Sequence, residues 1–233
     1  MRQVFNWHAT RDENFATPIV KGMRRTNPQE RQRKRILNDD EIRAVWNAAT
    51  GSYGRLVQFL LLTAQRREKV AAMDWADVDD DNVWTIKTEM REKGNAGVLV
   101  LPDQAVTQLG KRGKVLVFPG RNGKQISGWS KYKATLDKEI LSAAKKVDPK
   151  AKPLPHWVLH DLRRTARSLM SRAGVRPDIA ERVMGHAIAG VEGVYDRHPY
   201  RDEKADALAK LAGLIALILN PPKGNVVRLT KSS

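Results

Sequence analysis

The stretch HDLRRTARSLMSRAG, residues 160–174, sets a histidine and three arginines within eight positions. On a helix, His160 and Arg163 lie three residues apart and share a face, and Arg167 falls one turn further along the same stripe. Arg164 points away from that stripe and reads as a surface charge. Leu162, Ala166, Leu169 and Ala173 form an apolar face, so the helix packs against a core. Arginines on the edge of a packed helix suit a phosphate, because a guanidinium offers planar, paired donors and a permanent charge. The same spacing fits ordinary surface arginines, and this helix alone does not separate the two.

Two further segments weigh toward chemistry. VMGHAIAGVEGVYDRH, 183–198, places Gly185-His186 ahead of Tyr195, which comes nine residues after the histidine. LLTAQRREKVAAMDWADV, beginning at Leu61, puts Arg66 between an apolar helix and a second helical stretch. A metal site is a poor alternative. His156 and His160 are four apart, but Pro155 disfavours a regular helix there, and a chain without cysteine leaves few donors to close a site. Tyr53, Tyr132 and Tyr200 have no histidine-containing segment at a comparable distance.

Together these residues resemble the catalytic domain of the tyrosine recombinases, the phage-integrase family. That family's first box, Thr-Gly-x-Arg-x-Gly-Glu-apolar, stands here as Thr63-Ala64-Gln65-Arg66-Arg67-Glu68-Lys69-Val70. Its His-x-x-Arg box is His160-Asp161-Leu162-Arg163, its Leu-Gly-His box is Met184-Gly185-His186, and its nucleophile falls on Tyr195. The family's β-turn lysine falls on Lys93, with Lys87 as a rival. The resemblance spans about residues 36–217, in the family's order and at its spacing. The chain departs from the pattern at Ala64, where glycine is usual, and at Glu68-Lys69, where Gly-Glu is usual.

The resemblance implies strand cleavage and rejoining of double-stranded DNA with neither metal nor nucleotide cofactor. It assigns Arg66 and Arg163 to the non-bridging oxygens of the scissile phosphate. Tyr195 becomes the nucleophile that forms a 3′-phosphotyrosine. His160 takes the tyrosine proton, Lys93 protonates the leaving 5′-oxygen, and His186 donates a hydrogen bond to a non-bridging oxygen. It also implies self-association on DNA as a tetrameric synapse through the C-terminal helix at 202–219, whose all-round apolar end fits docking in cis or in trans, with trans favoured once DNA is bound and a monomer without it. A truncated integrase that binds DNA or a partner without cutting is the alternative, motivated by Glu68-Lys69 and by a missing front domain.

These residues need a scaffold, and the patterning predicts one that is mainly α with a small antiparallel β-sheet (α+β). Asn38 and Glu41 form a capping box opening a helix over NDDEIRAVWNAA. Helices are expected at 53–65, 67–73, 128–147, 160–173, 177–184 and 202–219, the last two beginning near Pro177 and ending in the apolar run 211–219. NVWTIKT (82–88) and GVLVLP (97–102) read as strands joined by a turn at Gly94-Asn95, and VLVF (115–118) as a third.

Ahead of this domain, 1–20 reads as the remnant of a preceding core-binding domain with a short helix at 2–13. Residues 21–35 read as an exposed basic linker with seven basic residues and one acid. Its cations Arg24, Arg25, Arg31, Arg33, Lys34 and Arg35 are candidates for tracking a DNA backbone; a solvated charge run is the plainer reading. The catalytic domain is expected over 36–220 and a flexible tail over 221–233.

Composition agrees with a polyanionic partner. Lysine and arginine number 42 against 26 acids, a net +16, and 41% of the 233 residues are apolar, enough for a real core. The nine-residue apolar run 211–219 is far short of the about twenty that a membrane span requires. With no cysteine and no signal-peptide pattern, a cytoplasmic location is expected.

Overall fold

The computed structural model describes residues 1–19, 33–89, 94–186 and 198–222. The chain divides into two compact units, Met1–Lys34 and Arg35–Ser233. The first holds helix α1 (Arg2–Ala9), none of whose residues is buried. Phe15 folds back on it, its ring 6.1 Å from Phe5 and 4.6 Å from His8.

The second unit begins with the predicted cap. Asn38 accepts the Glu41 N–H at 2.9 Å, and Glu41 accepts the Asn38 N–H at 2.9 Å, so two donors at the start of α2 (Asp39–Ala48) are satisfied reciprocally. Helix α3 (Gly51–Thr63) runs through the core, with Leu56, Val57, Phe59, Leu60, Leu61 and Leu62 all buried. It stops at Ala64, a non-glycine residue in the left-handed region at φ 56°. Helix α4 (Arg67–Ala71) follows directly, with Arg66 as its N-cap.

The sheet has two strands among the described residues, β1 (Val83–Thr85) and β2 (Val98–Val100), paired antiparallel with Trp84 opposite Leu99. Residues 115–118 do not form the predicted third strand. Val117 N–H donates to the Met73 carbonyl and Trp75 N–H to that of Val115, which ties this segment to the loop after α4 and leaves it outside the sheet. Helix α5 (Asp103–Leu109) packs on α3 and has no counterpart in the sequence expectation. At seven residues, it was too short for its helical period to stand out.

Helix α6 (Trp129–Val147) leads to the extended stretch before α7 (Leu159–Arg172). Trp157 anchors that stretch: its ring is buried, its Nε1–H donates to Asp137 at 3.1 Å, and Lys133 Nζ lies 3.7 Å over the ring. Helix α8 (Pro177–Met184) starts with its proline, as predicted, and ends at Gly185. Helix α9 (Arg201–Leu219) closes the unit. No helix among the described residues is long and apolar enough to cross a membrane.

Without DNA, helix α9 packs in cis, one of the two dockings expected for 202–219. Leu208, Leu211, Ala212, Ile215 and Ile218 are buried against α2, α3, α7, α8 and β2 of the same chain. Its apolar surface had a partner the sequence does not reveal, because the faces that receive it come from five separate elements.

Candidate active site

Helix α7 carries the first two groups, and its start is held by a buried acid. Asp161, fully shielded from solvent, accepts the Val158 N–H at 2.9 Å and pairs with Arg164 Nη1 at 2.7 Å. Arg164, expected as a plain surface charge, is therefore the counter-ion of a buried carboxylate. One turn on, Thr165 donates to the Asp161 carbonyl at 2.8 Å and accepts the Leu37 N–H at 2.9 Å, which fastens α7 to the segment leading into α2.

Arg163 is the centre of the arrangement. Only 3% of it is exposed, and it donates to the carbonyls of Ala64 at 2.5 Å and Met184 at 2.7 Å. The same Nη2 lies 2.9 Å from His186 Nε2. Burial, and then the charge of Arg66, push its guanidinium down to about 10, so it stays protonated at neutral pH. Arg66 reaches the same corner from α4: Nη1 donates to Gly94 at 3.0 Å and Nη2 to Gly185 at 3.2 Å. Three of the predicted groups, Arg66, Arg163 and His186, thus meet around the carbonyls of 184–185.

The backbone around them is shaped for this. Ala64 must turn left-handed to aim its carbonyl at Arg163, which explains why glycine suits that position. Gly185 sits at φ 66°, and a Cβ there would come within 2.3 Å of the Ala96 nitrogen and 2.4 Å of the Asn95 carbonyl carbon. No side chain fits, so the Gly-His pair reflects contact between the end of α8 and the start of β2. Gln65, which sequence reasoning passed over, is buried and donates to the carbonyls of Thr63 and Val183, splicing the first box to α8.

His160 opens on a cavity of about 330 Å³ lined also by Arg67, Glu68, Trp129, Ser130 and Lys133. Burial, with the cations Arg164 and Arg163, lowers its imidazole from the usual value, so it is neutral at pH 7 and able to accept a proton. Glu68 is held below its ordinary value: burial works to raise it, and the hydrogen bond from Arg67, a backbone hydrogen bond and the charge of Arg67 together outweigh that. Lys69 turns the other way, donating to the Lys87 carbonyl at 2.7 Å and pairing with Glu89 at 2.8 Å. Lys87, the rival for the turn lysine, is paired with Asp77 at 2.7 Å.

Arg167 shares a helix with Arg163 but serves a carboxylate instead of the shared corner. Its Nε donates to Glu181 at 2.7 Å and its Nη1 to Ser171 at 2.7 Å. Glu181 also receives Nδ1 of His186. Burial works to raise the Glu181 carboxyl, and these two hydrogen bonds together hold it below its usual range. Sequence reasoning missed Glu181 because it lies five positions before His186, outside the three-or-four spacing of a helix face.

Of the other predicted residues, Lys93 and Tyr195 lie outside the described residues, as do Arg24, Arg25 and Arg31. Arg33 and Lys34 belong to the first unit. Arg35 is engaged, its Nη2 2.5 Å from Glu41.

Two arginines and an imidazole around one turn, with a neutral histidine beside them, are the equipment of a phosphoryl-transfer site. Residues 29–200 match the model of the phage integrase family. The chain belongs to that family. The prophage integrase IntF of Escherichia coli (strain K12) is 30% identical over 182 residues, 72% of this chain and 34% of its own length. The chain therefore spans about a third of that relative. Among solved structures, the Tn1549 transposon integrase in complex with transposon right end DNA matches with a TM-score of 0.53 at 16% identity, over 80% of this chain and 70% of that one. A lambda integrase tetramer bound to a Holliday junction matches with a TM-score of 0.53 at 15% identity, over 82% and 56%. Those two likenesses are likenesses of fold.

Proposed function

We propose that the chain is the catalytic part of a site-specific recombinase that integrates or excises a mobile element by breaking and rejoining duplex DNA. The observation that carries this is the convergence of Arg66, Arg163 and His186 on the turn at 184–185. In this reading a scissile phosphodiester replaces part of those carbonyl contacts. The guanidiniums then face its non-bridging oxygens and offset the charge that builds in the transition state. Tyr195 Oη attacks phosphorus, the P–O5′ bond breaks, and a 3′-phosphotyrosine keeps the energy of the broken bond for rejoining. The phenolic proton goes to His160, and Lys93 supplies a proton to the departing 5′-oxygen.

The domain division follows the same reading: 1–20 as the end of a preceding DNA-gripping domain, 21–35 as a basic linker, 36–220 as the catalytic domain and 221–233 as a tail. The family membership, and the DNA complexes among proteins of this fold, support duplex DNA as partner and assembly of several copies on it. Because α9 is docked in cis, association through 202–219 needs either its outer face or its release when DNA is bound.

The test is a duplex nicked near the cleavage phosphate, which traps the covalent intermediate. A protein–DNA adduct that disappears in Tyr195→Phe supports the recombinase. Retention of DNA with no adduct from the parent chain would leave only the binding module.

A further inference from the structure

We infer that Glu181 is a positioning residue for His186, fixing the imidazole with its proton on Nδ1 and its Nε2 turned toward Arg163 and the phosphate site. The inference rests on the recombinase reading only for its consequence in rate. The orientation itself follows from the donors and acceptors around the ring.

A guanidinium has N–H donors and no acceptor, so His186 Nε2, 2.9 Å from Arg163 Nη2, must present its lone pair. An ionised carboxylate only accepts, so Nδ1, against Glu181 Oε2, must carry the proton. Two separate neighbours thus require the same tautomer. The helix end enforces the geometry. Chain reversal at Gly185 lets the His186 N–H donate to the Glu181 carbonyl at 3.0 Å, so backbone and side chain of one residue bracket the same histidine. Arg167 occupies the other carboxylate oxygen at 2.7 Å and keeps it from rotating away.

The charged groups around the ring are Glu181 on α8, Arg163 and Arg167 on α7, and Arg66 beside Gly185. In this state Nε2 has no proton to give a non-bridging oxygen. The contact that Nε2 makes with a bound phosphodiester therefore depends on the orientation Glu181 imposes on the ring.

The experiment combines ¹⁵N NMR of the histidine rings in the full chain, with His186→Gln assigning the signal, and single-turnover adduct formation on the nicked duplex. The free wild type is expected to carry its His186 proton on Nδ1. Glu181→Leu is expected to lose that preference and to slow adduct formation roughly ten- to a hundredfold, the usual effect of removing a group that orients a functional histidine, with DNA retention changed less than twofold. Glu181→Gln keeps an acceptor for Nδ1 and is expected to recover the tautomer and part of the rate. A proton on Nε2 in the free wild type, or wild-type adduct rates in Glu181→Leu, overturns the inference. If Glu181→Leu does not fold, the wild-type spectrum and the glutamine variant still decide it. A wild type that shows the Nδ1 tautomer but forms no adduct sinks the recombinase reading and leaves the positioning intact.

Discussion

Arg163 does two jobs that a test must separate. Deleting its side chain removes the group proposed to hold the phosphate and also strands two buried carbonyls, each costing about 1–3 kcal/mol. Arg163→Lys is the cleaner variant, because it keeps the charge and can satisfy one carbonyl while losing the planar fork. Adduct formation should fall on the order of 10²–10³-fold, with DNA retention nearly unchanged, as measured by trapping on the nicked duplex and by gel retention. Equal loss of both would remove Arg163 from the chemistry. His160 makes a prediction in pH. Its imidazole is lowered by burial and by Arg164 and Arg163, so it stays neutral below the ordinary value of about 6.5. Adduct formation that depends on it as proton acceptor should hold as pH falls through 6.5 and decline only at lower pH. A single-turnover pH series with its limb at or above 6.5 contradicts this. His160, Arg163 and His186 were legible because helix period and a Gly-His pair are local signals. Glu181 was not, because its contact exists only where α8 ends and the chain doubles back.

At the level of elements, the site is a junction: the ends of α3 and α8 and the start of β2 meet with little room to spare. Gly185→Ala forces a Cβ into the backbone of Asn95 and Ala96 at a left-handed position, so clash and strain add. It should destabilise the chain by about 2–4 kcal/mol, read from the shift in a urea melt; a change under half of that would mean the hairpin gives way freely. Lys204 fastens the same place from α9, its buried Nζ donating to the Ala96 carbonyl at 2.8 Å. The cis docking of α9 has its own test. Leu211→Ala opens a void in the core and should cost about 2–5 kcal/mol. Leu217→Ala, at a position 60% exposed, should stay within about 0.5 kcal/mol. Comparable denaturation midpoints for the two variants would argue that α9 is not docked in cis.

At the scale of the whole molecule, the net +16 and the proposed duplex partner would make binding an ion-exchange process. If six to ten phosphates are neutralised, retention on duplex DNA should fall roughly 10³–10⁵-fold between 50 and 200 mM salt. A flat response measured by fluorescence anisotropy would deny the polyanion partner. The long helices, the Asn38 capping box, Pro177 at the start of α8 and the paired strands were all readable, since each rests on residues within a turn or a hairpin of one another. The third strand failed for the converse reason. A run such as VLVF has the composition of a strand, but whether it joins a sheet depends on which edge is free, and here the loop after α4 took it.

What the sequence alone determined is the chemistry on offer: the arginines, the histidines, the tyrosine and their order, together with helices such as α7 and α8 that position the arginines and histidines. Those follow from residue type and short-range period, which need no partner to be expressed. Only the tertiary structure decided that Arg66 and Arg163 share one turn, that Arg164 belongs to Asp161 and Arg167 to Glu181, and that the apolar end of α9 is covered by its own chain. Each of those outcomes is a choice among several carbonyls, carboxylates or apolar faces of similar chemistry. Distance in the folded chain makes that choice, and separation along the sequence carries no record of it.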